Sequence, residues 1–326
     1  MLRLQPFELH HPREIGEAIA SFFEAPEETR YLSGGTDLLP NMKLAYGKPA
    51  RVVSLRNIDA LRRLEETPDH VSIGAGMLLS EVASHPVVLR EFPALSTAIS
   101  GIATPQIRNM ATFGGNICLD TRCRYINQSE LFREALGGCL KSHGDVCHVV
   151  PGGKNCVAAL SSDSVPVLIA LDAELTIAGA DGTRTVPVSR FFNTNGLAHT
   201  NLAQGEIVVA ATIPRTGPGT RVGYRKWAVR KCFDFPLVSV AIRLDTGADG
   251  TLAGGMACVG VLGPKPRAVD LARFAGHSVD EALAEELQQL IWKRSRPLPN
   301  VPYDDTYRRR RLGVEARRLI MEMLGL

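Results

Sequence analysis

The chain lacks a marked excess of either charge: 37 Lys and Arg stand against 34 Asp and Glu, a formal +3 at neutral pH. So close a balance gives no general attraction for nucleic acid or for an anionic membrane, and partners must be recognised locally. It also lacks an apolar run of the roughly 18 residues that a spanning helix needs; the best candidate, 165–177, is interrupted by Pro166, Asp172 and Glu174. Met1 to Phe7 contain neither an apolar signal core nor a small-residue cleavage site, which predicts a cytoplasmic protein. No G-x-G-x-x-G follows a strand and no G-x-x-x-x-G-K-[ST] occurs, so a Rossmann dinucleotide site and a P-loop are both excluded. H-E-x-x-H and G-x-S-x-G are missing as well, leaving a hydrolase nothing to work with.

What is present is 45% hydrophobic residues, 30 glycines and 20 prolines distributed along 326 positions. That composition suits a mixed α/β protein with many turns, and the length suits about two domains. Ile15, Ala18, Ile19 and Phe22 recur at helical spacing behind Pro12. Arg30–Leu32, Arg51–Leu55 and Val71–Ala75 read as strands, Leu79–Ala83 and Val87–Leu95 as helical pieces. Val165–Leu175 and Thr183–Val188 read as a hairpin turning at Ala180-Asp181-Gly182. Two prolines and two glycines in Pro214–Gly219 predict a linker, hence domains at 1–217 and 218–326. The second should hold three strands, Val222–Ala228, Leu237–Leu244 and Gly254–Val261, and two helices, Val279–Trp292 and Tyr307–Leu324. The run Arg308–Arg311 should lie on a solvent or subunit face.

Two glycine turns carry candidate chemistry. Leu32-Ser33-Gly34-Gly35-Thr36-Asp37 follows a strand, so its backbone N–H groups and hydroxyls can face an anion, although an ordinary tight turn looks the same. A second approach, Thr104 to Asn116, ends in Ala111-Thr112-Phe113-Gly114-Gly115-Asn116, as a ligand lying across two loops requires. Together these segments closely resemble the two FAD-pyrophosphate loops in flavin subunits of the molybdenum hydroxylases, the xanthine dehydrogenase and carbon monoxide dehydrogenase family. Ser162-Asp163-Ser164-Val165-Pro166 is similar to the following family segment, whose Asp touches the flavin nucleotide. Tyr224-Arg225-Lys226 and Gly263-Pro264-Lys265-Pro266 are similar to its C-terminal domain, so the likeness spans nearly the whole chain.

The resemblance implies an α+β fold. A two-part FAD-binding domain, a small α/β subdomain and a mainly antiparallel one, would precede a C-terminal three-stranded sheet with helices. It implies non-covalent FAD held by Leu32, Ser33, Gly34, Gly35, Thr36, Asp37, Gly101, Ala111, Thr112, Gly114, Gly115, Asn116, Asp163 and Lys226, with no catalytic residue on this chain. It also implies a molybdopterin-binding large subunit and a small subunit with [2Fe–2S] clusters, assembled as a dimer of heterotrimers.

The chain departs from most of that family by an insertion at about 119–158, far longer than an ordinary connection. It contains Cys123, Cys139, Cys147 and Cys156, four of the seven cysteines, between glycine turns at 137–138, 144 and 152–153. An odd cysteine total without an export signal argues against a disulfide framework, and the absence of Cys-x-x-Cys argues against a zinc ribbon. Read alone, the four thiols are open to metal ligation, to unligated packing or to disulfides. The insertion resembles the branch of the family that reductively dehydroxylates 4-hydroxybenzoyl-CoA with electrons from ferredoxin, whose flavin subunit carries an extra [4Fe–4S] cluster. That resemblance implies the four cysteines as its ligands, with Arg122, Arg124, Lys141 and Lys154 around them. Cys118 is expected to pack near the flavin, and His143 and His148 to be loop residues.

Overall fold

The computed structural model describes residues 3–326. The first sheet is built from β1 (Glu8–His10), β2 (Thr29–Leu32) and β3 (Arg51–Ser54), all parallel in the order β1-β3-β2. Helix Ile15–Phe23 turns Ala18, Ile19 and Phe22 inward, as its spacing predicts. Ala18, Ile19 and Val53 share a core with Ala178 and Ile207 of the next sheet, which fixes the first glycine loop to the body of the protein.

The second sheet is antiparallel and five-stranded: β4 (Leu64–Glu66), β5 (His70–Gly74), β6 (Glu174–Gly179), β7 (Gly182–Pro187) and β8 (Ile207–Pro214), in the order β4-β5-β8-β6-β7. The expected hairpin is present as β6 and β7, but its first half is displaced. Residues Ser164–Ala170 form a helix, and the strand begins only at Glu174. All seven helical residues are buried, so no polar stripe interrupts the apolar run and neither helix nor strand periodicity can be read from it.

The chain leaves this sheet at Pro214 and enters the third at Thr220. That sheet comprises β9 (Thr220–Trp227), β10 (Val238–Thr246), β11 (Leu252–Gly260) and β12 (Arg267–Asp270), antiparallel in the order β12-β11-β10-β9. The three expected strands are joined by a fourth, the edge strand β12, which is too short and too exposed to announce itself by alternation. On β10 the period of two sorts the side chains cleanly. Val238, Val240, Ile242 and Leu244 face helices Glu281–Arg294 and Asp305–Leu324. Ala241 points the other way, joining Tyr224 and Cys258 in a core shared with Val71, Ile73 and Leu175 of the second sheet. The two faces of one sheet thus seal two cores.

The arginine run does not lie wholly on a surface. Arg308 is fully buried and its guanidinium donates to the carbonyls of Leu237 (2.9 Å), Leu298 (2.7 Å) and Val261 (2.6 Å), while burial lowers its pKa to about 10. Arg311 pairs with Glu315 at 2.6 Å, and Arg317 with Glu281 at 2.9 Å. Arg308 is therefore an internal fastening of the last helix, while Arg310 keeps the exposed position expected of the run. Arg308→Met should leave three carbonyls, two of them buried, without this donor and cost about 2–3 kcal/mol of stability. Denaturant unfolding that gives the variant wild-type stability would contradict this role.

Candidate flavin site and cysteine loop

The first glycine loop leaves β2 and enters helix Leu38–Lys43, with Asp37 at its N-cap. Gly35 needs its glycine for a left-handed φ of +74°. Gly34 needs its own for close approach: a Cβ there would lie 2.2 Å from the Met110 carbonyl oxygen and 2.7 Å from Ala111 Cα. The two glycine loops are therefore in backbone contact, and the Ser33 and Thr112 hydroxyls join them at 2.7 Å. Among the described residues the backbone N–H groups of Gly34, Gly35, Thr36 and Asp37 donate to no acceptor within the chain. This is a set of consecutive donors turned outward, as an anion requires.

The second loop is used differently. Thr112 caps helix Phe113–Ile117 by accepting from Gly115 N–H at 3.2 Å. The Gly114 N–H donates to the Ala75 carbonyl at 2.7 Å, and a Cβ on Gly114 would lie 2.6 Å from that of Ala75. Gly114 is thus needed to pack the loop, whereas Gly115 is exposed beside the first loop. Ala111 is held by its carbonyl, which accepts from Leu79 N–H at 2.9 Å. Asn116 Oδ1 accepts from Ser162 Oγ (2.8 Å) and Ser164 Oγ (2.7 Å), which locks this helix to the segment around Asp163.

Asp163 is buried at 2% exposure at the N-cap of helix Ser164–Ala170, against β9. One carboxylate oxygen accepts from the Tyr224 hydroxyl, and the other from Lys226 Nζ at 3.1 Å. Lys226 also donates to the Gly101 carbonyl at 2.9 Å. Burial raises the carboxyl's pKa above its ordinary value, against the pull of Lys226 and then of Tyr224. Gly101, Asp163 and Lys226, far apart in sequence, are brought to one point, and Lys226 is an internal pairing residue rather than the exposed strand lysine its residue type suggests. Tyr224 is a further member that the sequence reading passed over.

The insertion is closed at its base by a two-residue antiparallel bridge, in which Arg122 and Ala159 exchange N–H···O bonds of 2.8 Å each. Within it, Gly138 and Gly144 meet backbone to backbone: a Cβ on Gly144 would lie 2.7 Å from the Gly138 carbonyl carbon. That contact folds the turn carrying Cys139. Cys123, Cys139, Cys147 and Cys156 all line one cavity of about 20 Å³, together with Tyr125, Lys141 and His148. Burial pushes the Cys123 thiol up to about 11, countered by N–H groups of the turn after it; the neighbouring Cys156 and Cys139 add to the rise. Cys156 is raised for the same first reason. Cys118 is not among the lining residues, and burial pushes its thiol up to about 12. His148 lines the cavity with its Nε2 engaged at 2.6 Å by the Gly138 carbonyl, and His143 is exposed.

The basic residues near the cysteines divide. Lys141 lines the cavity, but its ammonium donates to Asp120 Oδ1 at 2.6 Å and to the Thr121 carbonyl at 3.1 Å. Arg122 turns away to Asp37 of the first loop at 3.0 Å, while Arg124 and Lys154 are exposed outside the lining. Among the described residues, no group of three or more His, Cys, Asp or Glu side chains is disposed to hold a single metal ion. No helix of the described residues is long and apolar enough to cross a membrane.

Residues 5–216 match the family described as the FAD binding domain in molybdopterin dehydrogenase. The carbon monoxide dehydrogenase medium chain of Hydrogenophaga pseudoflava is 30% identical over 233 residues, 69% of this chain and 67% of that one. The aldehyde oxidoreductase FAD-binding subunit of Escherichia coli is 34% identical over 239 residues, 70% and 74% respectively. A solved structure of carbon monoxide dehydrogenase from Hydrogenophaga pseudoflava superposes with a TM-score of 0.81 at 24% identity, covering 99% of both chains, which shows a shared fold. The glycine loops, the matched domain and these relatives agree that the chain belongs to the FAD-binding subunits of the molybdenum hydroxylase family.

Proposed function

We propose that this chain is the electron-transfer subunit of a 4-hydroxybenzoyl-CoA reductase, its β subunit, carrying FAD and one [4Fe–4S] cluster and accepting electrons from reduced ferredoxin. The complete enzyme would add two electrons and two protons to 4-hydroxybenzoyl-CoA, releasing benzoyl-CoA and water. A molybdopterin-binding large subunit would hold the substrate, and a small subunit with [2Fe–2S] clusters would lie between, in a dimer of heterotrimers. The observation that carries the reading is the convergence of Cys123, Cys139, Cys147 and Cys156 on one cavity. Four thiolates are the usual ligand set of a [4Fe–4S] cluster. A structural zinc needs its sulfurs within about 2.3 Å of one point, and no such single-ion grouping exists among the described residues. Support for the cluster therefore lies in the four sulfurs gathered around one cavity, which is the donor set such a cluster takes.

For FAD the fit rests on unspent donors. The outward N–H groups of Gly34 to Asp37 suit a pyrophosphate, with Ser33 and Thr36 hydroxyls beside them. Asp163 and Lys226 form a largely buried charged pair between the N-cap of helix Ser164–Ala170 and β9, and Asp163 would be the acceptor for a nucleotide hydroxyl. FAD, when bound, supplies the redox chemistry, and the protein supplies binding and orientation. A single-electron donor explains the use of a second centre, because the cluster accepts one electron at a time.

Anaerobic purification followed by flavin extraction, metal assay and a visible spectrum tests the reading. About one FAD and four irons per chain are expected. Zinc in place of iron together with reduction by NADH would favour a NAD- or quinone-linked flavin subunit of another molybdenum hydroxylase. A colourless, flavin-free preparation would point to a scaffold role.

A further inference from the structure

The cysteine loop grips the helix that carries the first glycine loop. At the N-terminal end of helix Leu38–Lys43, Arg122 donates to Asp37 at 3.0 Å. At the other end, the buried Arg133 donates to the Leu44 carbonyl at 2.9 Å. Lys141, 6% exposed and two positions from Cys139, holds Asp120 Oδ1 at 2.6 Å, and Asp120 Oδ2 accepts from the Tyr46 hydroxyl at 3.0 Å. Lys48 and Glu130 add an outer pair at 2.8 Å. Lys141–Asp120 is a pair within the loop, 21 positions apart, whereas the contacts reaching Asp37, Leu44, Tyr46 and Lys48 join residues 74 to 89 positions apart and are tertiary fastenings rather than local turns. Two of the cations are nearly out of water, where breaking one contact strands the partner.

We infer that Arg133 and Lys141 are positioning residues for FAD, through which the state of the cysteine loop sets how firmly the first glycine loop holds the flavin. The coupling half of this inference rests on the cluster reading above; the clamp itself does not. Filling the cavity fixes the loop, the loop fixes Leu44 and Tyr46, and the helix then presents the Gly34 to Asp37 donors in one arrangement. By linkage, iron in the loop and FAD in its site raise each other's affinity.

The test is an anaerobic FAD titration of flavin-stripped full-length chain, followed by fluorescence quenching, with iron loaded and with iron removed by a chelator. Wild-type chain should bind FAD about tenfold more tightly when loaded. Arg133→Met and Lys141→Met should each weaken binding about tenfold in the iron-free chain and about a hundredfold in the loaded one, which brings the loaded-to-stripped ratio close to one. Lys141→Arg, which keeps a donor cation, should restore most of the affinity, and Tyr46→Phe should show a smaller loss. A merely structural loss would lower both affinities and leave the ratio intact. That result, or wild-type affinity in both methionine variants, overturns the inference. A chain that takes up no iron refutes the cluster reading, and wild-type and variant affinities in the iron-free chain then still decide the clamp.

Discussion

Cys139→Ala is expected to abolish ferredoxin-driven reduction of the flavin while leaving FAD bound at about one per chain, and to lower the iron content towards zero. The separation of the two effects follows from placement. Cys139 lies on the Gly138–Gly144 turn inside the insertion and lends no atom to the glycine loops, so at saturating FAD the site stays filled even where the loop's grip through Arg122, Arg133 and Asp120 is loosened. The same result is expected at Cys123, Cys147 and Cys156, since all four line the same cavity. Cys232→Ala and Cys258→Ala serve as controls: the first residue is exposed on another loop, the second is buried in β11. Stopped-flow reduction by ferredoxin, read at the flavin absorbance, measures the effect. Unchanged electron transfer in Cys139→Ala would end the assignment of the loop as an electron entry port.

Both halves of the site were legible in the sequence for different reasons. The glycine loops could be read because backbone approach demands glycine, and Gly34 against Met110 bears that demand out in distance. The cysteine set could be read because four thiols confined to one insertion are conspicuous in a chain with seven. What joins the halves could not. Tyr46, Asp120 and Arg133 are ordinary surface residue types, and their role appears only when contacts spanning 74 to 89 positions form. The same limit explains Arg308: a run of four arginines reads as a solvated face, and only the packing of helix Asp305–Leu324 on β9 and β10 reveals which one is turned inward towards three carbonyls. Helix Ser164–Ala170 was misread for the opposite reason, being so deeply buried that every position is apolar or small.

The division of labour between the glycines decides how the flavin site must be probed. Gly114 spends its N–H on Ala75 and Gly115 on its own Thr112 cap, while the first loop's donors remain free. Pyrophosphate binding should therefore depend mainly on the first loop, and on the second as the surface that holds the first in place.

A methyl group at Gly34 should consequently be the most damaging small substitution for FAD. Its Cβ would stand 2.2 Å from the Met110 carbonyl oxygen, which belongs to backbone and cannot swing aside, so the two loops must part and the Ser33–Thr112 contact must open. A displacement of that order turns the Gly34 to Asp37 donors off their target, and Gly34→Ala is expected to weaken FAD binding by about a hundredfold or more. Gly115→Val asks the complementary question. Its Cβ would meet only the Thr112 hydroxyl of its own cap, at 2.9 Å, and the rest of the side chain would enter the exposed space beside the first loop. It should exclude FAD while disturbing the fold less than Gly34→Ala. Gly16→Ala is the control, because nothing lies within 4 Å of a Cβ there. FAD titration and thermal melting of the three flavin-stripped variants separate loss of the site from loss of the fold. Stoichiometric, tightly held FAD in both Gly34→Ala and Gly115→Val would show that the flavin does not lie across these loops.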